Sequence, residues 1–397
     1  MPSPGTILVA NIGSTSFKFR LFRMPDEKVL ARGGVDRIGS GESAWSVKID
    51  PDIELSGSGA FPDYEAAIRL VQEKLEEHHL PFSELTAVGF KPVMAKGISG
   101  TRIMDEAVLE AMEEIATLLP AHNPPYVAAV RTFNRMMPDL PCVGTFETAF
   151  YDHLPPATTR YPVPTEWELQ HAVRRYGFHG ASHRFVSERA AELSGRDDLK
   201  LVSCHLGGSS SLAAVVNGQA VDSSWGMTPQ SGLPQNNRVG DFDVFAAIYL
   251  ARDCGVGLDE MERILSQESG LKGMSGLDSG DIRDVSAEAE KGNENAQLAL
   301  DVFVEAIRNY IGRFILKMNG LDTLIFTAGI GENRPAIRSA VCRELDFIGL
   351  KLDEDANRKV LGTEQVISAA DSRVEVRVIP TNEEIIIARN AWKHLKN

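Results

Sequence analysis

Two stretches of this chain alternate apolar and small residues, turn on a Gly/Ser cluster, and alternate again: residues 6–18 (TILVANIGSTSFK) and 201–213 (LVSCHLGGSSSLA). A period of two predicts strands, and the cluster between them predicts a reversal, so each half of the chain carries a hairpin, the first over residues 6–22. Apolar positions at helical spacing predict helices over residues 62–79, 105–119, 182–194, 244–254, 258–266 and 287–319, the last interrupted near Gly292 and Asn293. Short strands are expected at 142–146 and 323–327. A turn follows the second of these over 328–333, with a helix from Pro335 onward and another running from residue 384 to the end. Pro120, Pro124 and Pro125 deny a helix its donors and restrict the residues before them, which predicts a loop over 118–125. Gly, Pro and Asn crowd residues 226–240, a long irregular segment where a substrate loop is expected.

At 397 residues the chain is long enough for two domains, and 43% apolar content is ordinary for a globular fold. The Pro-rich run 155–164 marks the crossover, giving an expected N-terminal domain over 1–150, on which the helix 384–397 packs back, and a C-terminal nucleotide-binding domain over 151–383. A net charge of -14 excludes a nucleic-acid surface, which needs a concentrated basic stripe, and an anionic substrate would need a locally positive pocket. No apolar run reaches membrane-spanning length and no N-terminal leader pattern is present, so a cytoplasmic protein is expected. The four cysteines lack metal-ligand spacing and suit a reducing compartment as buried thiols.

The hairpin turns are the first candidate chemistry. Small residues let backbone N–H groups close around an anion, and the hydroxyls of Ser14, Ser16, Ser209 and Ser211 add donors, with Lys18 as a point charge beside the first turn. Either turn alone would reverse a chain and nothing more; two of them point to phosphate. Strand 323–327 leads into Gly329 and Gly331, which allow close approach of a ligand at a helix start, a position that favours negative charge.

The motifs NIGSTSFK (11–18), RYGFHGASH (175–183), CHLGG (204–208), TAGIGEN (327–333) and PTNEE (380–384), in this order over nearly the whole length, resemble the acetate kinase family. The resemblance implies an α/β fold of the duplicated type shared by actin, sugar kinases and heat-shock ATPases, with a nucleotide cleft between two domains. It also implies reversible transfer of the ATP γ-phosphoryl to a short carboxylate, giving an acyl phosphate and ADP, and a homodimer formed through the C-terminal domain.

By that resemblance Arg238 binds the transferring group or the carboxylate, His179 donates to the transition state, and His122 stands near the same oxygens, the alternative for each histidine being a satisfied buried imidazole. Asn11 and Glu383 match positions that hold Mg²⁺ (Mn²⁺ as substitute) largely through water, although Glu383 also suits the first turn of a helix on its own account. The ATP-binding set is Ser14, Ser16, Lys18, His205, Gly207, Gly208, Ser209, Asp281, Arg283, Gly329, Gly331 and Asn333. Asp281 and Arg283 would flank adenosine, or else form a solvated ion pair. Val93, Ala121, Phe178 and Pro229 would wall the substrate's alkyl end.

Three positions depart from the family pattern: Lys91 in place of arginine, Glu147 in place of an essential aspartate, and Gly208 where asparagine is common. Lysine lacks the planar fork of arginine, and one added methylene displaces the Glu147 carboxylate by roughly 1.5 Å. Two readings follow. The chain is a carboxylate kinase whose acceptor differs from acetate, with Lys91 in its substrate site and Glu147 in its catalytic set. Alternatively, it is an impaired homologue that binds nucleotide and regulates.

Overall fold

The structure, a computed structural model, describes residues 4–120 and 122–396. It divides into two units, Met1–Asp152 with Asn382–Asn397, and His153–Thr381.

The first unit is built on eight strands: β1 (Gly5–Gly13), β2 (Ser16–Met24), β3 (Lys28–Asp36), β4 (Ser43–Ile49), β5 (Ile53–Gly59), β6 (Leu85–Phe90), β7 (Thr101–Ile103) and β8 (Cys142–Thr145). They lie in the order β5-β4-β3-β2-β1-β6-β8-β7. The expected first hairpin is β1 and β2, antiparallel from Gly5 opposite Met24 to Gly13 opposite Ser16. β1 is central, so both of its faces are covered and Ile7, Leu8, Val9 and Ala10 are all buried. Leu8 and Ala10 pack with Val127, Val130 and Phe133 of the helix Asn123–Met136. On the other face the C-terminal helix Glu383–His394 comes so close that a Cβ at Gly89 would lie 3.0 Å from Ile387.

The expected loop over 118–125 is present but shorter, residues 119, 120 and 122 lying outside any helix or strand and the next helix beginning at Asn123. Pro124 and Pro125 occupy the first turn of the helix Asn123–Met136, where no N–H partner is required, so the same prolines that stop one helix start the next. The helix expected over 105–119 is shorter, Glu106–Glu113, followed by a single 3₁₀ turn at Ala116–Leu118.

The second unit has six strands: β9 (Lys200–Leu206), β10 (Ser210–Val216), β11 (Gln219–Ser223), β12 (Thr323–Thr327), β13 (Gln365–Val366) and β14 (Glu375–Val378). Their order is β11-β10-β9-β12-β14-β13. An antiparallel trio, two parallel strands and an antiparallel edge follow one another here, as they do in β3-β2-β1-β6-β8-β7. The fold is therefore a duplicated α/β architecture, with β4 and β5 an addition to the first copy.

The helix Glu294–Met318 buries Ala296, Ala299, Phe303, Ile307, Ile311, Phe314 and Met318, one stripe at helical spacing, into the core of this unit. The expected interruption is real: Gly292 has φ of 91° and Asn293 caps the new helix by accepting from Ala296 N at 3.1 Å. The helix before it begins earlier than the spacing predicts, at Ile282. The expected turn over 328–333 is instead a helical turn, Ala328–Asn333, springing directly from β12. Residues 226–240 hold no helix or strand, as expected.

Candidate active site

The site residues expected from sequence divide between the units. Asn11, Ser14, Ser16, Lys18, Lys91, Val93, His122, Glu147 and Glu383 belong to the first, and the rest to the second, while Ala121 lies outside the described residues.

In the first unit the hairpin register sets Asn11 directly opposite Lys18. The Tyr64 hydroxyl fastens the tip by donating to Gly13 O at 2.6 Å, with Ser14 exposed and Ser16 half-buried there. Asn11 and Lys18 line a cavity of about 350 Å³ together with Arg20, Arg32 and Glu384. Beside this hairpin the Lys91 ammonium lies between two carboxylates, 2.8 Å from Glu147 Oε1 and in contact with Glu383 Oε2. Burial acts to lower its pKa, but the Glu147 and Glu383 charges together outweigh that and hold it well above the ordinary lysine value. The loop after Lys91 is held by Asn123, whose Nδ2 donates to Met94 O at 3.0 Å and Met112 O at 2.8 Å, and His122 stands at the N-cap position of that helix with no side-chain capping bond. Lys91, Glu147 and Glu383 are thus brought together as one ion cluster.

In the second unit three imidazoles share a hydroxyl network. His179 adopts a left-handed backbone at the start of the helix Gly180–Ser194, with φ of 54°, which turns its ring back onto β9 and β10. Its Nδ1 lies 2.8 Å from Ser211 Oγ, and His183 Nε2 lies 2.9 Å from the same oxygen. His183 Nδ1 meets Ser203 Oγ at 2.8 Å, and His205 Nδ1 meets Ser182 Oγ at 2.7 Å. The His179 ring stacks on His205 with centroids 4.0 Å apart and lies 4.6 Å from Trp225, which also packs on Phe178. Ser211 carries one proton for two rings, so the network constrains the tautomers of both.

His183 is fully buried, and burial, with the His205 charge adding to it, pushes its pKa well below 6.5. A group neutral in the fold but protonated when unfolded contributes stability that is present above pH 6.5 and lost as pH falls, with a slope approaching about 1.4 kcal/mol per pH unit. Thermal melting across that range is expected to show the decline, and a His183→Gln variant, already weaker at neutral pH, a shallower one.

Arg238 lies in the irregular segment. Its Nη1 donates to Ser209 Oγ and Gln235 Oε1, both at 3.3 Å, while Ser209 Oγ also donates to Gln235 Oε1 at 2.8 Å. Gln235 is itself held by Nε2 donating to Pro229 O at 2.6 Å. Among the described residues Arg238 Nε and Nη2 hold no partner, and burial lowers the pKa of the guanidinium from the ordinary arginine value. The backbone beneath is clamped: Ser269, Leu271 and Lys272 donate to the carbonyls of Asn237, Gln235 and Asn236 at 3.1, 2.9 and 2.8 Å. Glycines permit that approach, since a Cβ at Gly270 would lie 2.1 Å from Gln235 O and one at Gly280 1.9 Å from Asn236 O.

A second cavity of about 390 Å³ is lined by Gly207, Gly208, Asn236, Asp281, Arg283, Gly329 and Asn333, so six residues of the expected ATP-binding set share one wall with a residue the sequence reading passed over. Asp281 is not on a plain loop; it caps the helix Ile282–Glu290 and pairs with Arg283 at 2.7 Å, which holds its carboxyl down at about 2. Asn333 Nδ2 donates to Gly329 O at 3.0 Å and fixes the glycine turn. Gly331 faces inward, where an added Cβ would lie 3.3 Å from the Phe326 backbone, and its carbonyl accepts from the buried Arg338. Ser211 is the expected hydroxyl donor of the second turn, whereas Gln235 and Asn236 have no role of their own beside Arg238 in the sequence, and Arg338 carries no sequence signal; proximity to Gly208, Ser209 and Gly331 distinguishes these three.

A duplicated α/β fold with a glycine-lined cavity beside an arginine and a histidine network defines a phosphotransferase. Residues 6–389 match the model of the acetokinase family. The chain is 41% identical over 391 residues to an acetate kinase of Pseudothermotoga lettingae, covering 97% of this chain and 96% of that one. It is 40% identical to an acetate kinase of Geobacillus kaustophilus, covering 98% of each. Among solved structures, Porphyromonas gingivalis acetate kinase superposes with a TM-score of 0.88 at 35% identity, over 98% of this chain and all of that one. A propionate kinase from Francisella tularensis gives 0.87 at 31%, over 97% and 98%. The chain belongs to the acetokinase family and is an acetate kinase-like enzyme.

Proposed function

We propose that the chain transfers the γ-phosphoryl of ATP to a short-chain carboxylate other than acetate, forming an acyl phosphate and ADP. The observation that carries this reading is Arg238, anchored through Nη1 on a clamped loop with the rest of its guanidinium uncommitted among the described residues. An in-line transfer asks little covalent work of a protein; it asks for donors fixed around a planar phosphoryl group. A carboxylate oxygen forms the new O–P bond as the bond to ADP breaks. Arg238 and His179 would donate to the phosphoryl oxygens, in which charge is spread. Lys91 and Glu147, a coupled ion pair in place of the family's arginine and aspartate, support a shifted acceptor preference. Val93, Phe178 and Pro229 would contact its alkyl end.

The family's metal fits as a lightly held ion. The Asn11 amide oxygen and the Glu383 carboxylate are hard oxygen donors suited to Mg²⁺, and no group of three or more His, Cys, Asp or Glu able to hold a metal occurs among the described residues. Such an ion, bound mainly through water and nucleotide, would neutralise charge on the phosphate oxygens. Trapping with hydroxylamine over a panel of short carboxylates, ATP and Mg²⁺ tests the reaction. A hydroxamate with an acid other than acetate supports it; ATP binding without turnover across the panel would establish the regulatory reading instead.

The partner we propose is a second copy. The helix Val244–Asp253 buries none of its residues, and Val244, Phe245, Ile248 and Tyr249 stand exposed on it beside Phe242. A double substitution, Phe245→Glu with Ile248→Glu, is expected to convert a dimer to a monomer in light scattering without loss of fold. No helix among the described residues is long and apolar enough to cross a membrane.

A further inference from the structure

We infer that Asn236 contacts the nucleotide, its side-chain amide occupying the place that the bare Gly208 leaves in the phosphate turn. The inference rests on the nucleotide half of the reading above and adds a residue to it. Three observations carry it. Gly208 has no side chain, and a Cβ built there would lie 3.3 Å from Asn236 Nδ2 and 3.8 Å from its Cγ, so the Asn236 amide fills the space that a side chain at 208 would enter. Asn236 Oδ1 is buried and holds no hydrogen-bond partner among the described residues. Both residues open onto the cavity of about 390 Å³ shared with Asp281, Arg283, Gly329 and Asn333.

The position of this amide is fixed. Asn236 N donates to Gly208 O at 3.4 Å and Asn236 O accepts from Lys272 N at 2.8 Å, with Gly280 bare against the same carbonyl. A buried amide oxygen without a partner is costly, and at the wall of this cavity a ligand donor would satisfy it. The chemistry of the amide selects that ligand. Oδ1 only accepts, so it asks for a hydroxyl or an amine, both of which a nucleoside presents. Nδ2 only donates, and beside the 207–209 turn it would meet phosphate oxygen. One side chain that serves both ends suits a nucleoside diphosphate or triphosphate better than a free phosphate.

The test is calorimetric titration of ADP, which needs neither acceptor nor turnover, with inorganic phosphate as the second probe. Asn236→Ala is expected to weaken ADP by about tenfold, the worth of a hydrogen bond to a charged group, and to weaken inorganic phosphate by less, because phosphate meets Nδ2 alone. Returning the amide from the other side, in Gly208→Asn with Asn236→Ala, should recover most of the loss. In the absence of nucleotide Asn236→Ala should melt no lower than the parent, because its Oδ1 pairs with nothing in the fold. ADP affinity within twofold of the parent in Asn236→Ala, a double variant as weak as the single, or a lower melting temperature without ligand would overturn the inference. If the parent chain itself fails to bind ADP, the nucleotide reading falls and takes this residue with it.

Discussion

Arg238→Ala is expected to slow acyl phosphate formation by about 10²- to 10³-fold, the usual loss when one fixed donor to a developing charge is removed. Its effect on ADP affinity should be small. Nη1 is spent on Ser209 and Gln235 within the protein, so on the proposed function the substitution removes from a ligand only the remaining fork. Arg238→Lys should recover little, because a point charge on a flexible stem cannot reach Ser209 and Gln235 and a phosphoryl oxygen together. Hydroxamate trapping measures the rate and calorimetry the affinity. A large loss of ADP affinity would mean that Arg238 belongs to the nucleotide's resting contacts and not to the transfer.

Arg338→Met should be the most damaging substitution for stability among those considered. The side chain is fully buried and donates to Asn357 Oδ1 at 2.7 Å, to Gly331 O and Glu332 O at 2.9 Å, and to Asn357 O and Val360 O at 2.8 Å. Burial lowers its pKa to about 10, which leaves it charged at neutral pH. Methionine fills much of the volume and satisfies none of the four carbonyls. A loss of about 3 kcal/mol or more in urea unfolding is expected, because each buried acceptor left without a donor costs on the order of 1–3 kcal/mol and some water can enter. ADP affinity should fall as well, since Gly331 and Glu332 sit in the helical turn that carries Gly329 and Asn333 onto the cavity wall. An unfolding midpoint close to the parent's would show that the four carbonyls find other donors.

Both hairpins, the long buried helix and its break at Gly292 and Asn293 were legible because each depends on local pattern: period two around glycine, period 3.6 along an apolar stripe, and a capping asparagine. The loop expected at 118–125 ends sooner, at Asn123, because a proline pair is a stop signal read from one side and a start signal read from the other. The chain gives no local mark of which applies. The turn expected at 328–333 failed because two glycines lower helix propensity, whereas here Arg338 and Asn333 hold the carbonyls of that segment and stabilise one helical turn.

For the site the division is similar. Gly207, Gly208, Gly329, Asp281 and Arg283 share one cavity wall because they belong to contiguous motifs that the fold merely juxtaposes. Asn236 and Gln235 stand near Arg238 in sequence without a role of their own, and what singles them out is space: a missing side chain at Gly208 and a hydroxyl at Ser209. Lys91 is expected at the substrate site, and what the sequence does not show is that its ammonium pairs with both Glu147 and Glu383. That pairing is set by burial and by the start of the C-terminal helix, far away in sequence.

The three amides of Ser269, Leu271 and Lys272, locked onto the carbonyls of residues 235–237, decide how a site like this can diverge. A loop so fastened resists insertion and bending, because any shift breaks several bonds at once and drives Gly270 and Gly280 into main-chain oxygen. The side chains it displays are under no such restraint. Substitution of a side chain on this loop is therefore expected to leave its path unchanged.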